Sequence, residues 1–138
     1  MLLNDSYNHK EVNRQINEAV GNSYSLIERL KMRGNGSPRI KISESSPEIE
    51  RLLRLDNNTD WCYMELRPKG IIIRFRSLLE TYALVIPYWK LVVYKTDSDR
   101  YTLYKDQFFV RIFIQTNNEK AFVKRVLELK GQEIPKEI

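Results

Sequence analysis

Residues 82–95 read YALVIPYWKLVVYK. Eleven of the fourteen are apolar or aromatic, yet Pro87 stands in the middle. The stretch is a membrane span, a buried helix, or two strands meeting at a bend. A span needs about 18 apolar residues, and Lys90 interrupts this run. Val, Ile, Tyr and Trp are strand formers. Pro87 has no N–H to give a ladder, so it belongs at a strand end or a bend. The stretch therefore reads as two strands, 81–86 and 90–95, with Trp89 or Leu91 opening the second.

Upstream, the same period of two begins at Trp61. In WCYMELR, Cys62, Met64 and Leu66 alternate with Trp61, Tyr63, Glu65 and Arg67. RPKG at 67–70 is a turn signal, with Pro68 second and Gly70 fourth. In GIIIRFR, Ile71, Ile73 and Phe75 share one face, and Ile72, Arg74 and Arg76 the other. SLLE at 77–80 reads as a hairpin loop. Downstream, TDSDR at 96–100 is a turn in which Asp97 and Asp99 are turn formers. YTLYK and FFVRIFI continue as strands. The pattern then switches to helix. Thr116 and Glu119 have capping-box spacing, Phe122, Val126 and Leu129 follow at helical steps, and Gly131 is a natural stop.

The first 60 residues read differently. Val12, Ile16, Ala19, Val20, Ile27 and Leu30 follow steps of three and four, with Gly21 weakening the middle of that helical pattern. RGNGSPR at 33–39 is a loop. RIKIS at 39–43 alternates like a short strand, and SSPEIERLLRL at 45–55 has helix-start signals. DNNTD at 56–60 breaks that helix. The expected organisation is a helical leader and loop over 1–38, a strand-rich domain over 39–131 and a tail over 132–138.

With 138 residues, 42% hydrophobic and 30% charged, the chain fits one globular domain. The start, MLLNDSYNHK, turns polar after one apolar pair, so no signal peptide is expected. A single cysteine, Cys62, cannot close an internal disulfide, which fits a reducing, cytoplasmic setting. Of the net charge of +5, residues 61–114 carry +4, from nine Lys and Arg against five Asp and Glu. An excess in the strand-rich part points to an anionic partner; an ordinary solubilising surface is the plainer account.

The segments RPKGIIIRFRS, ETYALVIPYWKLVVYK, DRYTLYKDQFFVRIF and EKAFVKRVLELK together resemble a pleckstrin-homology-like (PH-like) domain of the bacterial type, over about residues 61–130. The hairpin glycine, the IPY step and the closing helix carry the resemblance. It implies an α+β fold: an antiparallel six- to seven-stranded PH-like barrel or curved meander, closed by a C-terminal helix and preceded by a helical leader. RIKIS would supply the seventh strand of that arrangement. It also implies a scaffold that binds lipids, peptides or proteins without catalysis.

The chemistry-bearing residues are few. No phosphate-cradling glycine loop, zinc spacing or nucleophile elbow is present, and no catalytic residue, metal or cofactor is expected. His9, the sole histidine, lies in the polar leader. Cys62 alternates with apolar neighbours, as a buried thiol does. Lys69, Arg74 and Arg76 span the first hairpin in a pattern like the basic one that phosphoinositide-binding PH domains carry there, and are read as an anion-binding set. Leu78 and Leu79 are read as a contact for a membrane or partner if the hairpin tip exposes them. Val12, Ile16, Val20, Ile27 and Leu30 form a stripe read as a self-association surface, because a lone amphipathic helix is marginal. The leading expectation is a non-catalytic module that binds a protein partner, itself, or an anionic, lipid headgroup-like ligand. The alternative is a nucleic-acid-binding accessory protein that uses aromatic residues and arginines on one sheet face.

Overall fold

The structure, a computed structural model, describes residues 1–6, 9–55 and 60–132. Eight strands and four helices run in the order β1 (Leu2–Asn4), α1 (Lys10–Val20), α2 (Leu26–Lys31), β2 (Ile40–Ser45), α3 (Pro47–Leu55), β3 (Trp61–Arg67), β4 (Gly70–Ser77), β5 (Glu80–Pro87), β6 (Val92–Lys95), β7 (Arg100–Lys105), β8 (Phe108–Phe113) and α4 (Asn117–Gln132). The strands form one antiparallel sheet in the order β1-β5-β4-β3-β2-β8-β7-β6. The fold is α+β, with eight strands among the described residues instead of six or seven. The eighth, β1, lies inside the leader, where Leu2 pairs with Leu84 and Asn4 with Tyr82 at the free edge of β5.

The bend falls at Pro87, which closes β5. Lys90 and Leu91 then donate N–H bonds back to the Pro87 carbonyl, each at 3.0 Å, and this turn delays β6 to Val92. The inner residues of the strands meet in one cluster. It joins Phe75 of β4, Ile86 of β5, Leu103 of β7 and Ile112 of β8, so the sheet curls around a single core. Two helices close its ends. α3 is an excursion between β2 and β3 that buries Ile49 and Leu53, and the Ser77 hydroxyl donates to the Leu52 carbonyl at that end. α4 serves the other end. Phe122, Val123 and Val126 are buried and Leu129 partly so, and Lys130 Nζ donates to the Tyr88 carbonyl at 3.3 Å. The Thr116 hydroxyl accepts from the Glu119 N–H at 3.1 Å, as its spacing predicts. The helix passes through Gly131 to Gln132 instead of stopping at the glycine. Residues 133–138 of the predicted tail and 56–59 of the predicted break lie outside the described residues.

The leader is two helices, and α1 packs on its own sheet. Ile16 and Val20 are buried against Ile72, Ala83 and Val85, with Val12 partly buried beside them. This corrects the self-association expectation for Val12, Ile16 and Val20. The outer face of β4 and β5 is apolar at Ile72, Ala83 and Val85, so it supplies in cis the partner that the stripe requires. Ile27 and Leu30, on α2, stay exposed at 66% and 71%. The fit of α1 depends on Gly70. A Cβ there would meet Val20 Cγ1 and the Ile86 carbonyl oxygen, both at 2.4 Å.

Candidate functional site

Alternation along a strand sends every second side chain outward, and the sequence of β3 and β4 then sets what the outer face carries. From β3 come Trp61, Tyr63, Glu65 and Arg67; from β4 come Ile72, Arg74 and Arg76. α1 covers the Ile72 end. Beyond it lies an ion cluster. Arg74 Nε is 2.9 Å from Asp5 Oδ2 and its Nη1 2.6 Å from Glu65 Oε1. Arg67 Nε lies 2.7 Å from Glu65 Oε2, and Arg67 Nη1 donates to Asn17 Oδ1 at 3.0 Å and to the Gly21 carbonyl at 2.8 Å. Burial pushes the Glu65 carboxyl upward, but the hydrogen bonds from Arg74 and Arg67 together outweigh it and hold the group below its ordinary value. Two guanidiniums thus face two carboxylates, and the cluster pins α1 and β1 to the sheet.

The sequence-predicted basic set does not come together. Arg74 is taken by Asp5 and Glu65. Lys69 sits in the β3–β4 turn, its N–H bonded to the Val20 carbonyl at 2.9 Å. Arg76 is at the far end of β4, seven residues or roughly 24 Å along the chain from Lys69 at about 3.4 Å per residue.

Arg76 instead joins residues from β3 and from the start of β2. Lys41 pairs directly with Trp61 across β2 and β3. The Cys62–Phe75 and Tyr63–Arg74 register, continued by one pair, sets Arg76 beside Trp61. Arg39, Trp61, Tyr63 and Arg76 line a cleft of about 170 Å³. The Arg39 guanidinium lies over the Trp61 ring, and Lys41 Nζ is 5.2 Å from the same ring centre. Among the described residues, Arg39, Lys41 and Arg76 have no carboxylate within ion-pair distance. Three unneutralised cations around two rings form an electropositive, partly apolar surface. Guanidinium forks and an ammonium suit phosphate or carboxylate oxygens.

Just past Arg76, Leu78 and Leu79 form the two-residue turn between β4 and β5. They are 55% and 89% exposed, as the hairpin-tip reading requires. Leu78 has φ 59°, in the left-handed region that a β-carbon disfavours. A glycine would relieve that strain but would remove an exposed leucine.

Arg39 and Lys41 are the site residues that sequence reasoning missed. RIKIS alternates, which puts them on one face, but their partner strand is 20 residues away across α3, and nothing in the sequence states that pairing. Elsewhere the structure offers little chemistry. Cys62 is fully buried, and burial first, with the Glu119 charge second, pushes its thiol up to about 12. Asp97 shapes the β6–β7 turn by accepting the Asp99 N–H at 2.9 Å and pairing with Arg100. His9 precedes α1 on the exposed surface. Among the described residues no group of three or more His, Cys, Asp and Glu side chains is placed to hold a metal ion, and no helix is long and apolar enough to cross a membrane. Compared with protein-family models, curated proteins and solved structures, the chain matches none.

Proposed function

We propose that this chain is a non-catalytic, PH-like interaction module that docks on an anionic lipid surface with the end of the sheet that carries Trp61 and Leu79. The observation that carries this reading is the unneutralised trio Arg39, Lys41 and Arg76 around Trp61, next to two exposed leucines. Each basic residue near an anionic bilayer contributes about 1 kcal/mol. Each leucine that leaves water adds about 1.5–3 kcal/mol. Trp61 and Tyr63 have the amphipathic rings that suit the headgroup layer. The PH-like assignment draws support from the strand order β5-β4-β3-β2-β8-β7-β6 followed by α4.

A second reading rests on the cations stacked over Trp61: rings beside arginines also hold single-stranded nucleic acid. Leu78 and Leu79 favour the lipid surface, because exposed leucines add nothing to phosphate or base contacts.

Cosedimentation of the full chain with phosphatidylcholine vesicles, with and without phosphatidylglycerol, tests the proposal. Binding is expected only with the anionic lipid, weakened by salt and by Leu78→Ser with Leu79→Ser. No binding to anionic vesicles, with tight salt-sensitive binding to an oligonucleotide, would reverse the choice.

A further inference from the structure

Among the described residues β6 is the last strand of the sheet and bonds only to β7. One hydrogen bond fixes the phase of that ladder. The Thr96 N–H donates to the Arg100 carbonyl at 2.9 Å. In an antiparallel pair, bonded and non-bonded positions alternate. Tyr94 with Thr102 and Val92 with Tyr104 are therefore the bonded pairs in the β6–β7 register. Val93 and Lys95 turn their N–H and C=O groups to the outer edge. On the outer face of the same strand, Val92 and Tyr94 are 46% and 61% exposed. The opposite edge of the sheet, β1, is only three residues long, and its Asn4 side chain is engaged with Glu80 and Ser6.

We infer that β6 is a self-complementary edge on which a second copy of the chain pairs, in an antiparallel register centred on Val93. Only a register that pairs even-numbered residues with even-numbered ones keeps outer residues opposite outer residues, because side chains directly opposed in an antiparallel pair share a face. Centred on Val93, the two copies of that residue exchange two main-chain bonds, which is what its outward N–H and C=O require. Val92 of each copy then meets Tyr94 of the other at the closely spaced positions. Lys95 donates its N–H to the Leu91 carbonyl of the other copy. The Leu91 N–H is already used, at 3.0 Å, by Pro87. The charges permit this register. The two Lys95 positions stand four residues apart along the edge, about 13 Å at 3.3 Å per residue. That exceeds the screening length of about 8 Å at physiological salt. An extended segment of another protein would gain the same main-chain bonds. A second copy also supplies the valine and tyrosine that cover the exposed pair.

Sedimentation equilibrium of the full chain, up to about 1 mM, tests the inference. The wild-type mass is expected to rise from one chain toward two. Val92→Lys with Tyr94→Lys puts like charges at both cross-strand pairs. It should weaken association by about tenfold or more. Val92→Glu with Tyr94→Lys puts opposite charges there instead. It should restore association at low salt and lose it at high salt. Circular dichroism confirms that both variants, altered only at exposed positions, stay folded. A wild-type chain that stays monomeric overturns the inference, even if it captures an extended acidic peptide along β6. Association that is equal in the two variants overturns the register.

Discussion

The Arg39 guanidinium carbon lies 4.3 Å from the centre of the Trp61 ring. At such a distance the ring face attracts the cation by about 0.5–1 kcal/mol at an exposed site. Lys41 lies over the same ring. The indole thus holds two positive charges on one outward face that no described carboxylate neutralises.

Arg39→Gln removes one of those charges and keeps much of the side-chain length. Affinity for anionic vesicles should fall about fivefold, from the loss of about 1 kcal/mol. Arg39 is exposed, so stability should stay within about 0.5 kcal/mol. Vesicle titration and a urea melt read the two effects. Unchanged affinity would remove Arg39 from the docking surface.

α1 packs in cis, so its loss should damage the fold's surface and leave no tidy domain behind. Ile16→Ala empties a buried site and should cost about 2–5 kcal/mol in urea unfolding. Deleting residues 1–35 strips the cover from Ile72, Ala83 and Val85 and frees the β5 edge. Such a chain should aggregate in light scattering. A soluble, folded monomer after the deletion would contradict the packing of α1.

Gly70→Ala tests the contact between α1 and the first hairpin. The new methyl group would press on Val20 and on the β5 backbone at Ile86. Overpacking of this kind costs about 1–3 kcal/mol. The loss should appear in urea unfolding, while vesicle binding at the far end of β4 stays intact. A neutral substitution would contradict the close approach of Gly70 to Val20 and to the β5 backbone.

Most strands were legible because a period of two runs within each strand between Trp61 and Ile114, with turn signals between them, and the closing helix because Phe122, Val126 and Leu129 keep a period near 3.6. Pro87 gave the bend, but not the extra turn through Leu91 that sets the start of β6. β1 was hidden, since Leu2-Leu3-Asn4 is too short to show a period and owes its strand form to the β5 edge. The leader stripe was visible, but not its partner. Ile72, Ala83 and Val85 sit on strand faces that alternation alone labels as outer. The basic site was half legible. Arg76 and the Leu78–Leu79 tip follow from the hairpin. Arg74 reads as a free cation until Asp5, 69 residues away, is brought to it. Arg39 and Lys41 needed the long-range pairing of β2 with β3.

The Asp5–Arg74–Glu65–Arg67 cluster should make stability depend on acid. In the folded chain Glu65 titrates below its ordinary value, despite burial, because Arg74 and Arg67 hydrogen-bond to it. Its contribution is therefore full above the unfolded-state value of about 4.3. It is lost as the pH falls through the lower folded value. The stability gap between wild type and Glu65→Gln, measured by urea titration, should be widest near neutral pH and narrow below about pH 4. A gap that stays constant from neutral pH into acid would mean that the carboxylate charge is not what holds the cluster.

The most direct measurement of the docking surface uses Trp61 as its own reporter. The chain has two tryptophans, and Trp89 is 68% exposed, so Trp89→Phe leaves Trp61 alone with little disturbance. Its fluorescence should shift saturably when phosphatidylglycerol vesicles are added. It should not respond to phosphatidylcholine vesicles. The shift should reverse in about 1 M salt, where the screening length is about 3 Å. An equal response to both lipids, or none to either, would contradict docking through the Arg39–Trp61 face.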